Sequence, residues 1–143
     1  MDLKINGIGF QGKKEVLYGL TKAAQNAREY EYTKCYSRMN GLNKFNERIV
    51  HDASIKAYLD MATHDSSFLS TLSEATTADL YPIKQILKPG RTQHMLIEPF
   101  NKFSEELKNT LNSVYSNKIS ASTNNTITDF LSRVKSDKIS III

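Results

Sequence analysis

The sequence predicts a mainly α protein, a single compact helical domain of about five or six helices with short extended segments at the two ends that can pair with each other. Three observations carry this reading. Apolar residues recur at three-and-four spacing through most of the chain. Stretches that favour strands are few and short. The 143 residues include one cysteine, so no internal disulfide can substitute for a hydrophobic core. The alternative is an α+β domain with extra strands at residues 29–36 and 93–97.

Residues 1–12 read as extended, because Gly7, Gly9 and Gly12 interrupt Leu3, Ile5, Ile8 and Phe10. A helical body is expected over 13–116. Its first helix begins at Lys13 and carries Val16, Leu17, Leu20, Ala23, Ala24 and Ala27 on one face. It runs on to Met39, since no turn residue intervenes before Asn40-Gly41. The second helix covers 43–63, with a stripe of Ile49, Val50, Ala53, Ala57 and Met61. Asp65-Ser66-Ser67 then offers caps for a short helix bearing Phe68, Leu69, Leu72 and Ala75.

A further short helix carries Leu80, Ile83, Ile86 and Leu87, with Pro82 in its first turn, where a missing N–H does least harm. Pro89-Gly90 stops it. Residues 91–98 suit either a strand or a buried helical turn. Pro99 opens the longest C-terminal helix, with Phe100, Phe103, Leu107, Leu111 and Val114 on one side. Residues 117–125 read as a polar linker. Thr126 with Asp129 resembles a capping box that starts a last helix bearing Ile127, Phe130, Leu131 and Val134, within a terminal piece spanning 126–143. The end, Ile139-Ser140-Ile141-Ile142-Ile143, favours a strand. That terminal piece is too small to fold alone and no internal repeat occurs, so one domain spans 1–143.

Charge excludes little. Nineteen basic residues against fifteen acidic give +4, divided as ten against seven in residues 1–64 and nine against eight in 65–143. This is a mild, dispersed excess of the kind that serves solubility. Lys13, Lys14, Lys22 and Arg28 on the first helix are the candidate face for a weak nucleic-acid binder. No run approaches the roughly 20 apolar residues of a membrane-spanning helix. The N-terminus shows no basic stretch followed by an apolar one, so no secretory leader is expected. With the single thiol, this points to the cytoplasm. Cys35 reads as a small buried apolar residue rather than a nucleophile.

Gly7, Gly9 and Gly12 spell G-x-G-x-x-G ahead of a helix, the arrangement by which glycines admit a pyrophosphate to a helix N-terminus. The stretch before them has only Leu3 and Ile5 as apolar residues, and the chain lacks the alternating strands and helices that build a nucleotide-binding sheet. A glycine-kinked strand or arm is the preferred reading. No P-loop, nucleophile elbow or C-x-x-C occurs, and no cofactor is implied.

The histidines offer a metal site. His51-Asp52 and His64-Asp65 resemble the dipeptides of the HD-domain phosphohydrolases, all-helical enzymes in which such residues hold a divalent metal that activates water. Carried over, the ligands fall on His51, His64, Asp65 and Asp79, at separations much shorter than that family's helices provide. On one continuous helix, thirteen residues place His51 and His64 about 140° apart. His64 continues the apolar stripe, and His51 lies on the polar side. Glu47 with His51, Asp60 with His64, and His94 with Glu98 are each four apart, and read as helix-surface pairs.

The function expected is therefore a small non-enzymatic, cytoplasmic module that contacts another protein. The isoleucine tail, Ile139, Ile141, Ile142 and Ile143, either pairs with the N-terminal segment or adds as a strand to a partner's sheet. The alternative is a metal-dependent hydrolase using His51, Asp60, His64 or Asp65, and the third reading is the weak nucleic-acid binder.

Overall fold

In the computed structural model the described residues are 8–40, 45–92, 95–115 and 119–135. They form helices α1 (Ile8–Asn40), α2 (Phe45–Thr63), α3 (Phe68–Glu74) and α4 (Thr77–Leu87), strands β1 (Gly90–Thr92) and β2 (Met95–Ile97), then helices α5 (Pro99–Val114) and α6 (Ala121–Val134). The mainly α fold class is thus observed. β1 and β2 form an antiparallel pair in which Gly90 faces Ile97 and Arg91 faces Leu96. One contiguous core draws on all six helices.

Helix α1 is the frame. Val16, Leu20, Ala23, Ala24 and Ala27 are fully buried, and the helix packs against α2, α3, α4, α5 and β2. Small residues allow the close approaches. A Cβ on Gly19 would lie 2.9 Å from the Tyr58 carbonyl oxygen of α2. The extended segment expected over 1–12 is corrected for residues 8–12, which already belong to α1; residues 1–7 lie outside the described part. Helix also replaces the alternative strand at 29–36. Of the alternative strand at 93–97, residues 95–97 form β2, and residues 93 and 94 lie outside the described part.

In α2 the apolar stripe falls elsewhere than the spacing indicated. Ala53, Ala57 and Met61 are exposed, whereas Ile55, Leu59 and Ala62 are fully buried. The side chains of Ile49 and Val50 lie outside the described residues. Two overlapping stripes exist in this sequence, and the bulkier one wins because α2 must face both α1 and α5. Gly19 of α1 meets this helix at the Tyr58 carbonyl and at Ala62, a member of the buried arc.

Helix starts are set by caps the sequence reading misplaced. Thr76 and Asp79 form a reciprocal capping box: Asp79 N–H donates to Thr76 Oγ1 at 3.0 Å, and Thr76 N–H donates to Asp79 Oδ2 at 2.9 Å. Helix α4 therefore starts at Thr77, and Pro82 sits beyond its first turn, leaving the Ala78 carbonyl without its usual helical donor. Ser120 caps α6 by accepting from Thr123 N–H at 3.1 Å. Residues 121–125 are thus helix rather than linker, and Thr126 is interior, donating to the Ser122 carbonyl. The buried face of α6 begins only at Ile127, so its first turn carries no apolar signal.

Two arginines close helix ends from a distance. Arg28 of α1 donates to the Ile86 and Lys88 carbonyls at 3.1 and 3.3 Å, where α4 terminates. Arg133 of α6 donates to the Ala75 carbonyl just after α3.

Candidate functional site

Strand β2 leads through Glu98 directly into Pro99 at the start of α5. That junction lies beside the C-terminal half of α1 and encloses a cleft of about 380 Å³. Glu98, Asn101, Lys102 and Glu105 recur at helical spacing along one side of α5. Tyr30, Glu31, Lys34 and Cys35 do the same on α1, and Leu96 and Ile97 supply the apolar wall between them. Ile97 and Cys35 are buried, while Leu96 is 41% exposed.

Beneath the cleft lies a charge cluster joining three helices. Lys102 Nζ of α5 stands 2.7 Å from Asp52 Oδ1 of α2 and 2.9 Å from Glu106 Oε2, one turn along its own helix. It also lies 4.1 Å from the centre of the Tyr30 ring of α1. Burial alone would lower the Lys102 pKa, but its hydrogen bonds to Asp52 and Glu106 outweigh burial and hold it above the ordinary lysine value. Burial would raise Asp52, yet the Lys102 ammonium and, more distantly, Lys56 at 3.9 Å leave it below the ordinary carboxylate value. Glu106 is buried, and its Oε1 finds no donor among the described residues.

The cleft rim is different. Glu31 pairs with Lys34 at 3.6 Å, and Lys34 lies over the Tyr30 ring at 5.7 Å. Glu98 accepts a hydrogen bond from Asn101 Nδ2 at 2.8 Å. Neither Glu98 nor Glu105 has a cationic partner among the described residues, and both are exposed.

The histidine and aspartate residues considered for a metal are dispersed. His51 is half-buried on α2, and Asp60 is exposed near that helix's end. His64 is exposed just past the end of α2 rather than on an apolar stripe; its Nδ1 donates to the Asp60 carbonyl at 2.9 Å and makes no contact with the Asp60 carboxylate. Asp65 is occupied in the turn before α3, where Oδ1 accepts from Ser67 N–H and Oγ–H at 2.8 and 2.7 Å. Asp79 is taken by its capping box and by Lys13 at 3.1 Å. No group of three potential ligands gathers among the described residues.

The basic residues of α1 are likewise divided. Lys13 is paired with Asp79, and Arg28 closes α4, so two of the four candidates serve contacts inside the molecule. Gly9 and Gly12 stand within α1, and Gly12 faces the Asp65 and Ser67 side chains of the turn before α3. Gly7 and the tail residues Ile139, Ile141, Ile142 and Ile143 lie outside the described residues.

Sequence reasoning passed over Lys102 and Glu106, and weighed Asp52 only as part of the His51-Asp52 dipeptide. Lys102 and Glu106 stand four apart in the sequence, a spacing that places them on one helix face, but nothing local brings Asp52 to them from α2. Among the described residues no helix is long and apolar enough to cross a membrane. No protein-family model, curated protein or solved structure matches this chain.

Proposed function

We propose that the protein is a non-enzymatic interaction module of the cytoplasm that holds a segment of another protein in the cleft between α1, β2 and α5. The observation that carries this reading is the exposed Leu96 side chain beside Glu98 and Glu105, two carboxylates without a cationic partner among the described residues. Exposed apolar area next to uncompensated charge offers both contact surface and orientation. The complementary partner segment carries a lysine or arginine. Cytoplasmic residence rests on the lone cysteine of the sequence. The isoleucine tail is a second contact on sequence grounds, through strand addition.

Replacing Leu96 with a photo-crosslinking residue tests this in the native cell, with the same residue at Tyr81 on α4 as control. A discrete adduct from position 96, absent from position 81 and weakened by Glu98→Gln with Glu105→Gln at unchanged melting temperature, is the expected result. No adduct, or one indifferent to both glutamates, overturns the cleft reading. An adduct lost only on deleting residues 139–143 moves the contact to the tail.

A further inference from the structure

We draw no further inference here: the strongest candidate, the surface patch that exposed Tyr18 and Met61 form with half-buried Tyr58 where α1 packs against α2, carries nothing because nothing in the structure shows what covers it.

Discussion

The ammonium of Lys102 lies 2.7 Å from the Asp52 carboxylate although the lysine side chain is only 11% exposed. One cation thereby ties α5 to α2 and also neutralises the buried Glu106. Removing one member of such a set leaves an uncompensated charge, whereas replacing a buried pair together removes the desolvation penalty with it. Lys102→Met is expected to cost about 3 kcal/mol in urea unfolding. Adding Glu106→Leu to it should recover most of that loss. Asp52→Asn, at the wetter end of the cluster, should cost about 1 kcal/mol. Equal losses for the single and double variants would show that the cluster does not act as a unit.

Stability should fall at both extremes of pH. Asp52 and Asp79 are held below the ordinary carboxylate value of 3.8. For Asp79 the main cause is the Thr76 N–H, followed by Lys13. A carboxylate with a lowered folded-state pKa contributes fully above its unfolded value and loses that contribution as pH falls through the folded one. Urea midpoints should therefore decline below about pH 4. Asp79→Asn should start lower and decline less. Lys102, with a raised pKa, contributes fully below the ordinary 10.5 and loses its contribution only as pH rises through the higher folded value.

Gly19→Ala sets helix propensity against space. Alanine is favoured in a helix interior by roughly 0.5–1 kcal/mol. At this site the new methyl meets the backbone oxygen of Tyr58 at 2.9 Å and Ala62 Cβ at 3.1 Å, neither of which can swing aside. Overpacking costs about 1–3 kcal/mol, so net destabilisation is expected. Gly12→Ala meets Ser67 Oγ most closely, then Asp65 Oδ1 and Ser67 Cβ, so Ser67→Ala should relieve the tightest of these contacts. Thermal melts of the three variants check the order.

Thr76→Ala removes the acceptor for Asp79 N–H and half of the capping box. A loss of about 1 kcal/mol is expected. Hydrogen exchange at the start of α4 should be faster in the variant than in the parent, while the start of α5, which begins at Pro99 without a side-chain cap, should be unchanged.

His64→Ala is expected to leave stability within about 0.5 kcal/mol of the parent, because the ring is exposed and contacts only a backbone carbonyl. Zinc or manganese should raise the melting temperature of neither protein. A rise in the parent that His64→Ala abolishes would restore the metal-hydrolase reading.

Much of the helical framework was legible because long elements carry their own periodicity. The buried faces of α1 and α6 and the buried centre of the α5 face match the spacing in the sequence. Short-range polar chemistry was harder to read. Ser, Thr, Asn and Asp serve equally as caps, turn residues and solvated helix faces, so Ser120 is hidden inside a polar run and Thr76 carries no mark that sets it apart as a cap. The choice of stripe in α2 depends on its packing against α1 and α5, which no local pattern records. The cleft was least visible, since Glu98, Leu96 and Cys35 share no motif and meet only because β2 turns into α5 alongside α1.

Helix α1 runs for 33 residues, about 50 Å, and engages different neighbours at successive heights: the turn before α3 at Gly12, α2 at Gly19, the end of α4 at Arg28 and α5 at Tyr30. Inserting one residue between Gly19 and Arg28 would screw the upper half about 100° out of phase with the lower. The arginine clasp and the aromatic lid over Lys102 would both be lost while the lower half stayed seated. A rod read at several levels tolerates substitution far better than any change in its length.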